Sequence, residues 1–423
     1  MKKYDNYKDS GIEWIGEIPE HWEIRPLKHL VQCNNEALTE KTNPEMQINY
    51  IEIGDVNAVD GIKETSVYSF EKAPSRARRI VREGDVIIST VRTYLKAIAS
   101  ISSNFDGFIA STGFAVLTPK LIDSGFLGNI ALCEGLIGEI ISLSKGVSYP
   151  SITSQDLTNI SIPIPTSEEQ TAIAKYLDHK TSQIDTLITK KEQFISLLQE
   201  ERTAVINQAV TKGLDPKVKM KDSDIEWLGE IPEHWEVKKL SFVFKSLNTK
   251  RIPLSAEERG IMESRVYDYY GASGIIDKVE NFLFDEDLIL IGEDGANLLT
   301  RSKRLVFIAT GKYWVNNHAH IIKPINGNLN YYCEFLELID YSVYITGSAQ
   351  PKLTQEALMS IKIIEPPLNE QDEIYSFIKK ETNKIDTIIT KSQQEIELLK
   401  EYKTALISEV VTGKVDVRDV VLN

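Results

Sequence analysis

Two long stretches of the chain carry apolar residues at the spacing of an amphipathic helix. In the first, apolar side chains recur three and four positions apart between Ile173 and Ile206. Ser167 and Gln170 have the spacing of a capping box at its start, and Gly213 is a stop signal at its end. The pattern predicts one helix of about 45 residues, which spans on the order of 65 Å.

The same pattern returns between Ile374 and Val410 and ends at Gly413. A helix this long cannot bury an apolar stripe against itself, so the other copy is its simplest partner. We therefore predict that the two helices pack antiparallel as a coiled-coil-like pair. In the alternative interpretation, each helix packs only on the domain next to it.

Short segments also occur twice in the sequence. DSGIEWIGEIPEHWE, from Asp9 to Glu23, returns as DSDIEWLGEIPEHWE from Asp222 to Glu236, with thirteen of fifteen residues identical. At the start of the two helices, Glu169-Gln170 matches Glu370-Gln371, and further along IDTLITK matches IDTIITK. The repeated tryptophans are predicted to anchor the chain where it leads into the segment that follows, and not to contact a ligand.

The repeats divide the chain into constant and variable segments. The predicted boundaries are a constant N-terminal segment at 1–23, a variable domain at 24–150, a constant helical region at 151–213, a repeated constant segment at 214–236, a second variable domain at 237–351 and a constant helical region at 352–423. The two variable domains, called the inserts below, share little alignable sequence. A duplicated frame with dissimilar inserts suggests one scaffold that presents two specificities, although inserts that have merely drifted apart would look the same.

Both inserts alternate short β-rich runs with Gly, Asp and Asn turns. Strands are predicted near Tyr50 and Gly84 in the first insert and near Phe284 and Lys303 in the second. The predicted fold class is therefore α/β (α+β): two globular domains separated by the two long antiparallel helices, with an internal pseudo-twofold repeat.

The charge distribution distinguishes the frame from the inserts. The 423 residues have a net charge of −14, which argues against a generic nucleic-acid binder. Each insert, however, holds 13 basic and 14 acidic residues, so about −12 of the charge belongs to the frame. No apolar run approaches a membrane span, and the charged N-terminal MKKYDNYKDS is unlike a secretory signal, so we expect a cytoplasmic protein.

Catalytic and metal-binding motifs are weak in this sequence. Cys33, Cys133 and Cys333 are too far apart for a CxxC zinc site. GEDGAN at Gly292 lacks the glycine spacing of a nucleotide-binding loop, and Asn43-Pro44 is not followed by the residues of an amino-methyltransferase motif. Asp85, Glu293 and Asp294 could suggest a metal nuclease, but an acidic residue in a turn after a strand is usually structural. We predict no catalytic and no metal site.

Arginine binds phosphate and reads guanine through two hydrogen bonds, and asparagine and similar polar groups read other base edges. The inserts contain basic and polar clusters of this kind. The candidate DNA contacts are Arg76, Arg78, Arg79, Arg82, Arg92, Tyr94 and Lys96 in the first insert and Arg301, Lys303, Arg304, Asn316, Asn317, His318 and His320 in the second. For each residue, a solvated turn or an internal hydrogen bond is the alternative.

The duplicated IEWIGEIPEHWE and IEWLGEIPEHWE segments, the two Glu-Gln helix starts and the IDTLITK and IDTIITK helices together resemble the specificity subunit of type I restriction-modification enzymes. The resemblance covers nearly the whole chain. It implies two target-recognition domains, each of which reads one half of a split double-stranded DNA site in the major groove, while the helices set the unread spacer. Dissimilar inserts predict an asymmetric site.

The resemblance also implies partners. Two modification subunits would bind S-adenosylmethionine and methylate adenine, and translocating restriction subunits would use ATP and Mg²⁺. The chain itself is then expected to be non-catalytic, to hold no cofactor and to dock the modification subunits on its constant frame. Two other function classes remain open from the sequence: a coiled-coil scaffold whose inserts bind proteins, and an autonomous metal-dependent nuclease.

Overall fold

The computed structural model describes residues 2–347 and 350–422, which form two compact units. The first unit contains the chain up to Glu192 together with the stretch from Gln393 onward, and the second runs from Gln193 to Ser392. The first long helix, Ser167–Lys212, and the second long helix, Leu368–Val411, each contribute to both units. Both predicted helices are therefore confirmed, with lengths of 46 and 44 residues.

The start of the first long helix lies one residue away from the predicted capping box. The backbone N–H of Glu169 donates to Thr166 Oγ1 at 3.3 Å, and the Thr166 N–H donates to the Glu169 carboxylate at 3.2 Å. Ser167 is thus the first helical residue and not the cap. At the other ends, Gly213 and Gly413 adopt φ angles of 75° and 77°, as expected of glycines that terminate helices in the left-handed conformation.

The two long helices pack antiparallel within each unit. In the first unit Lys403 Nζ lies 2.7 Å from Asp185 Oδ1, and Lys191 pairs with Glu395. In the second unit the two helices are also antiparallel, and Arg202 Nε lies 3.0 Å from Asp386 Oδ1 on the other helix. These exposed pairs contribute little stability but show the register. The first long helix also packs on the domain next to it, as in the alternative interpretation, because Ile173 belongs to the same apolar core as the helices of the first insert.

The first unit contains two four-stranded sheets. Sheet A is antiparallel, in the order Ile98–Ser100, Val86–Ser89, Phe114–Pro119 and Val31–Cys33. Sheet B has the order Ser66–Ser69, Gln47–Ile51, Ile109–Ser111 and Ala77–Ile80, and its middle pair is parallel. The other strand pairs are Tyr7–Asp9 with Glu17–Pro19, Glu23–Pro26 with Ser161–Ile164, and Val56–Asn57 with Gly61–Ile62.

The second unit has corresponding sheets. Its sheet A has the order Val306–Ala309, Leu288–Gly292, Ala319–Pro324 and Phe244–Ser246. Its sheet B has the order Gly274–Val279, Tyr267–Gly271, Lys312–Val315 and Phe284–Asp285, and its middle pair is parallel. The other pairs are Met220–Asp222 with Glu230–Pro232, Glu236–Lys239 with Lys362–Glu365, and Ile345–Thr346 with Lys352–Leu353.

Short helices complete both units. The first has the α-helices Ser124–Ala131, Glu134–Leu143 and Ser154–Asn159 and 3-10 turns at Leu27–His29, Ile53–Asp55, Phe70–Lys72, Thr93–Leu95 and Ser103–Phe105. The second has the α-helices Leu240–Val243, Ala256–Gly260, Asn297–Thr300, Leu329–Leu338 and Gln355–Ser360 and 3-10 turns at Asn248–Lys250 and Ser342–Tyr344. Within the described part of the chain, no single helix is long and apolar enough to cross a membrane; only the bent pair 124–131 and 134–143 meets that test jointly.

The two inserts therefore have one topology although their sequences hardly align. If the eight sheet strands are counted along each insert, both inserts have the order 6-5-8-1 in sheet A and 3-2-7-4 in sheet B. Alternate residues of the central strand explain the layering. Val86 and Ile88 face the helices, whereas Ile87 faces sheet B, as the two-residue period of a strand requires. The α+β fold class and the internal repeat are confirmed.

The repeated His-Trp and Glu-Gln pairs hold each insert on its helix. His21 Nε2 lies 2.9 Å from Glu169 Oε1, and the buried Trp22 indole donates to the same carboxylate at 3.5 Å. In the second unit, His234 and Trp235 make the equivalent contacts with Glu370, at 2.6 and 2.9 Å. The predicted anchoring role therefore holds for these two tryptophans.

Electrostatics favour the charged form of Glu169. Burial acts to raise its pKa, but hydrogen bonds from His21, the Thr166 N–H and Trp22 outweigh burial and hold the pKa below its ordinary value. The neighbouring Gln170 is buried as well. Its amide donates to the Pro165 carbonyl at 3.0 Å and accepts the N–H of Asp123 at 2.8 Å.

Candidate nucleic-acid interface

The basic run of the first insert is divided by a strand. Arg76 precedes the strand Ala77–Ile80 and Arg82 follows it, so these two side chains lie toward opposite ends of sheet B. Arg82 pairs with Glu36 at 2.7 Å, on the side where the strand Val86–Ser89 begins. The four arginines therefore do not form one patch.

The arginines between them are engaged in packing. The Arg78 guanidinium stacks over the Phe70 ring at 4.8 Å and lies 3.6 Å from Glu40. Arg79 is half-buried, and its Nε has no hydrogen-bond partner among the described residues. Neither side chain is presented freely to solvent, which weakens the prediction that it contacts DNA.

Three segments of the first insert meet where the central strands of sheet A end. We call residues 90–96, 111–113 and 145–151 the first rim. The backbone holds them together: Thr90 N–H donates to Gly113 O at 2.8 Å, Arg92 N–H donates to Pro150 O at 2.7 Å, and Ile152 N–H donates to Thr90 O at 2.9 Å. Arg76 adjoins this rim, because its carbonyl accepts the Thr112 N–H at 2.8 Å.

The first rim presents an unusual turn. Arg92 and Lys96 have φ angles of 53° and 51° and flank the single 3-10 turn Thr93–Leu95. A non-glycine residue in this left-handed region costs on the order of 1 kcal/mol, and such strain is concentrated at functional sites. The turn exposes the large side chain of Tyr94.

Arg92 differs in its partners from two other basic candidates of the first insert, Arg82 and Lys96. Arg82 and Lys96 each have a carboxylate partner, Glu36 and Glu134 respectively, whereas Arg92 has none among residues 2–347 and 350–422. Its guanidinium instead stacks over Tyr149, 4.5 Å from the ring centroid. The rim thus combines an unpaired cation with exposed aromatic surface, a composition suited to nucleic acid.

The second insert has a rim of the same construction. We call residues 293–295, 316–318 and 350–352 the second rim. Glu293 N–H donates to His318 O at 2.9 Å, Gly295 N–H donates to Pro351 O at 3.2 Å, and Leu353 N–H donates to Glu293 O at 2.8 Å. These bonds correspond one to one with those of the first rim, so Gly295 occupies the position of Arg92, with a φ of 98°.

Different side chains occupy this shared backbone. His318 Nδ1 lies 2.8 Å from the Asp294 carboxylate, and both His318 and Asn317 are exposed. Glu293 is buried and pairs with Arg251 and with Lys352, the latter at 3.1 Å. The structure therefore places the predicted residues Asn317 and His318 on the second rim, where His318 pairs with Asp294, an acidic residue that the sequence brought up only for a metal site.

Two of the predicted base-reading residues lie inside the protein. Asn316 is buried, and its side-chain oxygen accepts the His318 N–H at 2.8 Å. His320 is completely buried, with Nδ1 2.8 Å from Asn248 Nδ2 and Nε2 2.7 Å from the Leu353 carbonyl. Burial lowers the pKa of His320, so the ring is kept neutral. For these two residues the prediction was wrong, because their side chains have no surface that a base could reach.

Two of the three remaining basic candidates of the second insert contact the helix Leu329–Leu338. Arg301 contacts the carboxylate of Glu337 at 3.2 Å, and Arg304 pairs with Glu334 at 3.0 Å. Lys303 is exposed, and its backbone N–H donates to Asn297 Oδ1 at 2.9 Å. DNA contact by this group stays a prediction, and the structure gives its two arginines a packing role.

Sequence reasoning missed Tyr149, which lies with the fully exposed Val147 in the turn before Pro150. The available signal was the start of the repeated register at Pro150 and Pro351, which marks the same turn in both halves.

No group of three or more His, Cys, Asp or Glu residues in the described ranges could hold a metal ion.

Comparison with known proteins agrees with this duplicated architecture. The model of the type I restriction modification DNA specificity domain matches the chain twice, at residues 19–196 and 232–398. The chain therefore belongs to this family. A putative type I restriction enzyme MjaX specificity subunit from Methanocaldococcus jannaschii is 26% identical over 98% of both chains. The EcoKI specificity subunit of Escherichia coli is 29% identical over 54% of this chain and 48% of its own.

Solved structures share the fold. A chain from a study of complex assembly and conformational transition of the type I R-M system aligns with a TM-score of 0.68 at 20% identity, covering 93% of this chain and 98% of that one. The HsdS subunit from Thermoanaerobacter tengcongensis aligns with a TM-score of 0.54 at 20% identity, covering 94% and 98%. At these identities the likeness concerns the fold alone.

Proposed function

We propose that this chain selects the DNA site of a type I restriction-modification complex, with each unit reading one half of a bipartite, asymmetric sequence. The observation that carries the proposal is the pair of rims. Three equivalent backbone hydrogen bonds build the same edge in both inserts, whereas the side chains on that edge differ. Recognition of two different half-sites requires one backbone arrangement that presents two different sets of side chains.

The two long helices would dock the modification subunits. Their duplicated sequence presents matching exposed apolar residues: Leu187 and Ile388 are 43% and 41% exposed, and Leu197 and Leu398 are 61% and 62% exposed. Leu187 belonged to the stripe that the sequence predicted to be buried. A surface that occurs twice on one chain suits two copies of the same partner, and apolar residues that no other part of the described chain covers are typical of such interfaces.

In this proposal the chain performs no reaction. S-adenosylmethionine would be bound by the modification subunits, and ATP and Mg²⁺ by the translocating restriction subunits. The contribution of the chain is to place the methyltransferases and, where present, the nuclease on a chosen sequence.

Selection of randomised double-stranded DNA tests the proposal. The full chain, co-purified with its modification subunit, is incubated with the library at two salt concentrations, and the bound fragments are sequenced. A split asymmetric motif with a fixed gap is expected, with an affinity that falls as salt rises because phosphate contacts release counterions. An assembled complex that enriches no motif would instead support a protein-binding scaffold.

The spacer is tested by a matched deletion. One heptad is removed from each long helix near the Lys191–Glu395 ion pair, residues 190–196 from the first and residues 392–398 from the second. Seven residues correspond to about 10 Å of helix, or roughly three base pairs. We expect a spacer shorter by about that amount with both half-sites unchanged; an unchanged spacer would contradict the measuring role of the helices.

A further inference from the structure

We propose that Arg92 reads a guanine in the half-site recognised by the first unit, and that Tyr149 is its positioning residue. This inference rests on the proposed function, since it assigns one base contact within it. The juxtaposition that carries it is an exposed, unpaired guanidinium stacked on an exposed tyrosine, at the edge where the two inserts differ.

The backbone at Arg92 is unfavourable for any residue but glycine. The second unit uses Gly295 at the equivalent position, where the N–H makes the same bond to a proline carbonyl. Glycine adopts this backbone conformation with little strain, because it lacks the Cβ atom that strains the left-handed conformation. The first unit instead has an arginine there, and the structure gives that side chain no carboxylate to pair with among the described residues. A contact between the Arg92 side chain and DNA explains why an arginine is kept in this strained backbone conformation.

The stack on Tyr149 prepares the guanidinium for planar recognition. A ring 4.5 Å from Arg92 Cζ covers one face of the guanidinium and restricts its rotation, but leaves the N–H groups at its edge free. Two of these N–H groups match the O6 and N7 acceptors that guanine presents in the major groove. Because the arginine is held before DNA arrives, less side-chain freedom is lost on binding.

The second rim cannot make this contact from the same position, because Gly295 has no side chain. Its polar groups include the exposed Asn317 and the His318–Asp294 pair, whose N–H donors and oxygen acceptors present a different pattern to a base edge. The two half-sites are therefore expected to differ at the base pair that faces this point of the rim.

Substitution of Arg92 in the full chain, assembled with the modification subunit, tests the inference by the same selection from randomised DNA. Glycine adopts positive φ angles without strain, and the second unit has a glycine at this position, so Arg92→Gly is expected to fold. Arg92→Lys keeps the charge but loses the planar fork. Lys120→Ala is the control, since it removes an exposed cation that lies at the other end of the strand Phe114–Pro119 from the first rim.

Both Arg92 variants are expected to lose a preference for guanine of roughly tenfold or more at one position of one half-site. All other positions and the second half-site should be retained, and the control should keep the wild-type motif. Tyr149→Leu should lower the same preference without removing it.

Three results would overturn the inference. If Arg92→Lys keeps the wild-type motif while Arg92→Gly binds all sequences more weakly, Arg92 contacts phosphate and not a base. If Arg92→Gly selects the wild-type motif at wild-type affinity, the side chain has no role. A wild-type complex that selects no split motif refutes the proposed function itself and this inference with it, and is distinguished from the other two results because it needs no variant.

Discussion

The packing of Gly413 against the Ile-Pro-Glu-His-Trp segment predicts a large effect of one methyl group on the first unit. A Cβ atom at this position would lie 2.3 Å from Cδ and 2.7 Å from Cγ of Pro19, and 3.1 Å from the Trp22 ring. The proline ring is part of the backbone and cannot rotate away. Gly413→Ala therefore adds an overlap to the strain of its φ of 77°.

The expected magnitude follows from these two causes. The left-handed conformation costs an alanine about 1–2 kcal/mol, and overpacking of a filled site costs about 1–3 kcal/mol. The sum is about 2–5 kcal/mol. Gly213→Ala is the matched control at the end of the other long helix: its φ is 75°, but the nearest atom to the new Cβ would be 3.2 Å away, on Trp235. This control should show the conformational cost with much less of the overlap.

A single melting temperature is not well defined for a chain of two units, so the measurement is native-state hydrogen exchange on the full chain. Protection of the strand Val86–Ser89 should fall by at least about 30-fold in Gly413→Ala, since a factor of ten corresponds to 1.4 kcal/mol. Gly213→Ala should affect Leu288–Gly292 instead, and less. Equal effects of the two substitutions, or unchanged protection of Val86–Ser89, would refute the packing argument.

Further predictions concern pH and the helix surface. The folded-state pKa of Glu169 is lowered, so its stabilising contribution is present above the ordinary value of 4.5 and is lost as the pH falls through the folded pKa. Glu169→Gln should therefore make the stability of the first unit, measured by hydrogen exchange, less dependent on acid pH. The pKa of His320 is also lowered from 6.5, so the second unit should lose stability as the pH falls below that value, and His320→Gln should remove this dependence. Leu197→Asp and Leu398→Asp should change the free energy of unfolding by less than about 0.5 kcal/mol but weaken co-purification of the modification subunit, whereas equal recovery would place the docking surface elsewhere.

The elements that depend on local sequence could be predicted. The long helices follow from apolar spacing and glycine stops, and the strand Val86–Ser89 follows from a short apolar run. The errors have equally local causes. Thr166 competes with Ser167 for the cap, and the reciprocal hydrogen bonds between Thr166 and Glu169 decide between them. An apolar residue such as Phe194 fits the helical stripe, yet it is exposed, since periodicity does not show which apolar residues another element covers.

The candidate site depended on contacts that are distant in sequence. Arg92 and Pro150 are joined by a backbone bond across 58 residues, and no periodicity indicates that pairing. His318 and His320 resemble alternate positions of one strand, but the strand begins at Ala319, so the first ring is exposed in a turn and the second is buried. The buried ring contacts Asn248, which is 72 residues earlier in the chain.

The unequal constraints on frame and rim explain how two inserts share a fold without sharing sequence. Glu169 accepts hydrogen bonds from the backbone and side chain of Thr166 and contacts His21 and Trp22, so an apolar residue in its place leaves the buried Trp22 indole without a partner. The rims are instead joined by main-chain N–H and C=O groups, which are the same in every residue but proline. Arginine and glycine can therefore occupy one position of the rim without altering its path, and the side chain there is free to be determined by what it contacts outside the protein.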